Sequence, residues 1–283
     1  MKANARRRRL RDALAGAECF FPASVYDALS ARIAQDAGFE SAMLAGSTAS
    51  LAVLGAPDLV LITLSEFAEQ ARRITRACDV PLIVDADHGY GNALNVMRTV
   101  EELENAGVAA LTIEDTELPA PFGAKGSRLL SKEEGVGKIR AALAARDDQQ
   151  LVIAGRTSAP AISGIDDAIE RCLAYQHAGA DAVFLSGLKN RADLEKFCAR
   201  MSVPVLLGSV PGELRDRAYL AGLGVRIALQ GHLPLQAAIQ AVSDTMRRLR
   251  NGEPADNAID PATIPTLSRA ADHARWSEEY LNA

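Results

Sequence analysis

One feature constrains this chain more than any other. Eight short apolar, β-rich runs alternate with longer amphipathic segments. The runs are 19–22, 42–45, 82–85, 111–114, 152–156, 182–185, 203–207 and 226–229. Helical spacing falls at 25–37, 64–77, 93–106, 132–145, 165–178, 191–199 and 213–221, and a further segment, 232–250, follows the last run. Ala37-Gly38, Ala106-Gly107 and Ala178-Gly179 supply the glycine that closes a helix in the left-handed conformation. Strands alternating with helices predict βαβ units and a parallel sheet. Eight such units in 283 residues point to a (β/α)8 TIM barrel, a fold of ordinary size at this length. A doubly wound open sheet is the alternative. One barrel domain is expected over 1–283, with an N-terminal helix over 1–17 and a helical extension over 255–283.

The flanking segments narrow the class further. Arg6, Arg7, Arg8 and Arg9 open the chain, but Asp12 and Glu18 stand where a signal peptide would need an apolar stretch. A short helix with a solvated basic face is expected there. After a turn-rich break at Asn251-Gly252-Glu253-Pro254, the tail places Leu267, Ala271, Ala274 and Leu281 around Trp276 and Tyr280. This reads as one extra amphipathic helix that must bury its apolar side on its own barrel or on a second subunit. No run reaches membrane-spanning length. A net charge of -5 argues against nucleic acid or an anionic membrane as partner, and 5% aromatic residues leave little for base stacking. Cys19, Cys78, Cys172 and Cys198 form no metal-ligand spacing and read as reduced, buried thiols, so a cytoplasmic location is expected.

Barrel enzymes build their sites at the C-terminal ends of the strands. Here those ends carry Gly46-Ser47-Thr48, Asp85-Ala86-Asp87-His88, Glu114-Asp115, Arg156 and His232. Five acidic groups, Asp58, Asp85, Asp87, Glu114 and Asp115, are expected at one mouth with one arginine and one histidine. Carboxylates so crowded repel unless a cation sits among them. Oxygen ligands without cysteine favour Mg2+, with Mn2+ as the substitute, and Mg2+ keeps several of its waters. The plainer account makes Asp85 and Glu114 helix caps or rim ion pairs. Gly89-Tyr90-Gly91 and 123–127 are poor matches to nucleotide-binding loops, and His177 and His273 read as surface or capping residues.

The segments Pro22-Ala23-Ser24-Val25-Tyr26-Asp27-Ala28-Leu29-Ser30-Ala31, Gly46-Ser47, Pro57-Asp58, Asp85-Ala86-Asp87-His88-Gly89-Tyr90-Gly91 and Ile113-Glu114-Asp115 resemble the isocitrate lyase / phosphoenolpyruvate mutase superfamily. The resemblance implies a (β/α)8 barrel, an eighth helix swapped between paired subunits, and a homotetramer built as a dimer of dimers. It implies Asp85 as the direct metal ligand, with Asp58, Asp87 and Glu114 holding the metal's waters. It further implies a keto acid bound by Tyr26, Gly46, Ser47, Arg156 and His232, with Arg156, Ser47 and His232 catalytic. Lyases of the superfamily carry a cysteine general acid in the loop after the fourth strand, and the segment 118–131 has none. His232, just after the eighth run, instead resembles the Mg2+-dependent oxaloacetate decarboxylase branch, although it could simply cap the eighth helix.

The expected reaction is therefore decarboxylation of oxaloacetate through an enolate stabilised by Mg2+, Arg156 and backbone N–H groups near Gly46-Ser47. His232 would orient the departing carboxylate. Two other readings stay open: a carbon–carbon lyase acting on a 2-alkylmalate or 2-methylisocitrate, with a group such as Tyr26 as acid, and a keto-acid-binding barrel without activity.

Overall fold

The computed structural model describes residues 3–209, 211–255 and 258–282. Eight parallel strands, β1 (Ala23–Ser24), β2 (Ala42–Leu44), β3 (Leu82–Asp85), β4 (Ala110–Glu114), β5 (Val152–Thr157), β6 (Ala182–Leu185), β7 (Val205–Leu207) and β8 (Val225–Ala228), lie side by side in chain order. Phe20 closes the ring: its N–H donates to Arg226 O at 2.8 Å, and Ala228 N–H donates to Phe20 O at 3.0 Å. A closed ring in sequence order is a (β/α)8 barrel and rules out the open-sheet alternative.

The first strand lies later than its apolar run. Pro22 has no N–H to offer the ladder, so regular pairing with β2 starts at Ala23. Gly46–Leu54, with only weak helix formers at its start, is a helix that the sequence pattern does not reveal. The tail folds as two helices, Ile264–Ser268 and Ala270–Leu281, rather than one. The helix expected over 213–221 is the shorter Arg217–Gly222 after a turn of 3-10 helix, and a short helix, Ala159–Ile162, follows β5; most remaining boundaries agree within three residues. Gly38, Gly107 and Gly179 adopt φ of 81°, 84° and 103°, as helix-closing glycines do.

Strand pleating sorts the side chains. Ala110, Thr112 and Glu114 point inward on β4, as do Val152, Ala154 and Arg156 on β5, and Ile83 and Asp85 on β3. The lower interior is an apolar plug of Met43, Ile83, Ala110, Val152, Ala154, Phe184, Leu206 and Ile227. From below, the helix Ala3–Ala15 inserts Leu10 and Leu14 into the same cluster. Above the plug, the next inward layer is charged.

Only half of the basic run on that N-terminal helix is a solvated face: Arg8 and Arg9 are exposed, whereas Arg6 and Arg7 are not. Arg6 and Arg7 are 7% and 5% exposed. Arg6 donates to Thr75 O at 2.5 Å and Cys78 O at 3.1 Å. Arg7 donates to Val108 O at 2.9 Å and Glu104 O at 2.7 Å, and pairs with Asp148 at 2.8 Å. The Thr75, Cys78 and Glu104 carbonyls end the helices Leu64–Ala77 and Ala93–Asn105. In a barrel the helix C-termini gather at the bottom, where unpaired carbonyls and the negative dipole end attract cations.

Candidate active site

The register places Glu114 beside Arg156 across β4 and β5, and Asp85 beside Thr112 across β3 and β4. Arg156 Nη1 donates to Asp85 Oδ2. Its Nε lies 3.2 Å from Glu114 Oε2 but lacks a hydrogen-bonding angle, and the guanidinium stacks 5.3 Å from the Phe184 ring. Asp85 Oδ1 accepts from Thr112 Oγ1 and from Asp87 N–H, both at 3.2 Å. Asp85, Asp87 and Glu114 are buried, while Asp58 stands exposed at the rim. All four, with Arg156, line one cavity of about 280 Å3, along with Thr116, Leu118 and Ser127.

Charge here is out of balance. Burial, then Asp85, Glu114 and Asp58, push the Asp87 carboxyl well above the usual carboxylate range. Burial also raises Glu114, although Arg156 opposes it. Asp58 is raised by partial desolvation and by Asp85. Burial works against the Arg156 cation, but Asp85 and Glu114 outweigh it and hold the guanidinium charged. Four carboxylates thus share one arginine, an arrangement that a divalent cation would relieve. Among the described residues, no three His, Cys, Asp or Glu side chains close in as a complete ligand set. The donors that line the cavity are carboxylate oxygens, which fit a hard cation such as Mg2+.

Asp115 does not join this group, contrary to expectation. Glu114 points inward, so its neighbour on the strand points outward, where Asp115 accepts from Tyr175 Oη at 2.5 Å and pairs with Arg171 at 3.0 Å. Alternation along β4 carried that signal.

His232 stands at the N-cap of the helix Leu233–Arg250 but makes no side-chain cap bond. Its ring is held instead between Ser24 Oγ, 2.9 Å from Nδ1, and Ser47 Oγ, 3.3 Å from Nε2. Burial lowers its pKa, with Asp85 and Asp58 opposing, which favours neutral imidazole. The helix-cap account of His232 therefore fails. Ser24 was missed because the first strand was placed too early; at the C-terminal end of β1 it is where barrel site residues sit.

Gly46 and Ser47 open the helix Gly46–Leu54, whose first N–H groups have no side-chain cap at Ala45. A Cβ on Gly46 would lie 2.8 Å from Asp87 Oδ1, so only glycine lets the helix start meet that carboxylate. Tyr26 is not brought into the acidic cavity. It lines two neighbouring clefts, and its carbonyl accepts from Gln70 Nε2 at 2.6 Å. The segment after β4 folds back as a ribbon, with Thr116 bridged to Leu129 and Phe122 fully exposed at its apex. The four cysteines are free and buried away from the cavity.

Three of the four described non-glycine residues with positive φ cluster at this mouth: Val60 (58°), Asp87 (48°) and Tyr90 (58°). Strain concentrated beside a charged cavity marks a functional site.

The family model described as phosphoenolpyruvate phosphomutase matches residues 10–250. The chain belongs to the phosphoenolpyruvate phosphomutase family. Within it, the chain is 58% identical over 274 residues to the oxaloacetate decarboxylase of Bradyrhizobium diazoefficiens, covering 97% of this chain and 95% of the relative. Among solved structures of similar fold, oxaloacetate acetylhydrolase in complex with 3,3-difluorooxalacetate superposes with a TM-score of 0.89 at 29% identity, covering 99% of this chain and 98% of that one. Phosphonopyruvate hydrolase in complex with oxalate and Mg2+ superposes at 0.87 with 31% identity over 100% of both chains. Family membership and these relatives make the chain an enzyme, and its strand-end acids form the candidate site.

Proposed function

We propose that this protein decarboxylates oxaloacetate to pyruvate and CO2 with Mg2+, or Mn2+ in its place. The observation that carries the reading is the surplus of carboxylates over cations around Arg156, beside a histidine bound to two serines and with no cysteine nearby. Asp85 would hold the metal directly, and Asp58, Asp87 and Glu114 would hold its waters. When bound, the metal makes the keto group of oxaloacetate a stronger electron sink.

The chain's own groups do the rest. Arg156 pairs with the substrate carboxylate and stabilises the charge that develops as the C3–C4 bond breaks and its electrons move to the keto oxygen. The N–H groups at the start of Gly46–Leu54, with Ser47 Oγ, face the same developing oxyanion. His232, held by Ser24 and Ser47, orients the C4 carboxylate so that it leaves as CO2. The pyruvate enolate then takes its proton at C3 from water, so no cysteine acid is required. Tyr26, which shares a cleft with Ser24 and Gly231, would stand at the edge of the site.

The eighth helix supports an exchange between subunits. Leu233–Arg250 buries only Leu235, and Ile239, Val242, Met246 and Leu249 continue the same stripe in the open. A stripe spaced by alternating fours and threes is the face that packs on another helix. We assign it to a neighbouring subunit in a homotetramer, with residues 1–283 acting as one barrel unit in the cytoplasm. Among the described residues no helix is long and apolar enough to cross a membrane.

The test is NMR of oxaloacetate with the purified protein, with and without Mg2+, against a metal-only control. Metal-dependent pyruvate and CO2 well above the control are expected. A rate equal to that control would sink the reading.

A further inference from the structure

The turn after β3 carries Asp87 and is held from behind. Asp87 and Tyr90 occupy a backbone region that side-chain-bearing residues avoid, and such a turn persists only where its surroundings fix it. The four carbonyls of residues 86–89 each have a donor. Ala86 O accepts from Gly89 N–H at 2.9 Å and Asp87 O from Glu114 N–H at 2.8 Å. Gly89 O accepts from Thr99 Oγ1 at 3.0 Å. His88 O accepts from Lys138 Nζ at 2.8 Å.

Lys138 is the unusual donor. It lies in the helix Lys132–Ala145, outside the barrel, and is 2% exposed. The other buried positions of that helix are Gly135, Ile139 and Ala142, so an apolar side chain would pack there without the cost of desolvating an ammonium. The cation reaches inward to a single neutral acceptor, in the field of Glu134, Glu114 and Asp115. Its grip falls on the residue directly after Asp87. On the other side, the Asp87 carboxylate rests against Gly46.

We propose that Lys138 is a positioning residue for the acidic mouth: by holding the His88 carbonyl it fixes the Asp87 backbone and presents that carboxylate to the divalent cation. The inference rests on the metal reading given above. It adds a residue that never touches substrate and that lies one layer outside the barrel wall.

The test measures Mn2+ alone binding to the full chain by electron paramagnetic resonance, alongside circular dichroism and thermal unfolding. Lys138→Met is expected to stay folded and to bind Mn2+ about tenfold more weakly, the scale on which groups that orient metal ligands act. Lys138→Arg, which restores a charged donor, is expected to return affinity to within about threefold of wild type. A folded Lys138→Met with wild-type affinity overturns the proposal, as does one that merely melts earlier. Should that variant fail to fold, Lys138→Gln, shorter and neutral, must show the same weakening, and unchanged affinity overturns the proposal equally. Wild-type protein that binds no Mn2+ overturns the metal reading and this inference with it, whereas wild-type binding with an unchanged variant removes Lys138 alone.

Discussion

The two ends of the barrel both bury charge, and they do it in opposite ways. At the bottom, Arg6 and Arg7 meet the carbonyls that end two helices, and Arg7, Arg11 and Arg146 pair with Glu104, Asp148 and Asp181. At the mouth, Asp58, Asp85, Asp87 and Glu114 gather around Arg156 alone. Helix C-termini collect at the bottom and N-termini at the top, so the backbone itself favours cations below and anions above. The bottom uses that preference to reach balance and stability. The mouth carries it past balance, and that excess of negative charge is what the proposed divalent cation would offset.

The largest effect is expected at Asp85. Asp85→Ala should abolish metal-dependent turnover while leaving the fold intact, because the proposed mechanism gives Asp85 the direct bond to the metal. Metal-dependent kinetics on the purified variant would check this, and unchanged turnover would break the contrast between the two ends.

Arg7→Met probes the other end. It takes the cation from half-buried Glu104 and Asp148 and leaves the Val108 and Glu104 carbonyls without their donor, and a loss of about 2 kcal/mol of stability is expected by denaturant unfolding. The folded enzyme should keep its kcat. A variant that loses activity but not stability would mean that the bottom is more than a structural closure.

Smaller again, His232→Ala should lower kcat/KM by about tenfold or more, as expected for a positioned histidine. Ser24→Ala should follow in the same direction by a smaller factor, because it loosens the ring rather than removing it. If His232→Ala changed only the melting temperature, the ring would be a packing element.

The subtlest prediction separates the ends by pH. Asp148 is held below its ordinary 3.8; partial burial opposes this, but Arg7, Gln150 N–H and Asn4 prevail. Stability from the bottom is therefore complete above that value and lost as pH falls through the lower folded one. Asp87 and Glu114 are raised, so without metal their contribution is present at low pH and lost as pH rises through their elevated range. A cation binds the ionised carboxylates. Saturating Mg2+ should thus raise Tm by about 5 °C at pH 8 and clearly less at pH 5. Equal shifts at both pH values, read by calorimetry, would contradict the imbalance at the mouth.

Much of this was legible in the chain. The strand ends of β3, β4 and β5 named Asp85, Glu114 and Arg156, and their register brings those residues side by side. Asp115 was placed wrongly because nearness to the strand end was weighed above the pleat. The exposure of Arg8 and Arg9 follows from the basic run, but the burial of Arg6 and Arg7 does not, because an isolated amphipathic helix gives no sign of what lies above it. Lys138 carries no local signal, and the signal at Ser24, its place at the end of β1, depends on where that short strand begins.

The sequence alone determined the eightfold alternation, the helix-closing glycines and the order of acids along the strand ends. These follow from periodicities and backbone preferences that act within a few residues. Which charges are balanced was decided only by the tertiary structure. Arg6 meets Thr75 across 69 residues, Arg7 meets Asp148 across 141, and Ser24 meets His232 across 208. Whether a buried charge is compensated depends on distance in space and on water excluded, and closure of the barrel sets both.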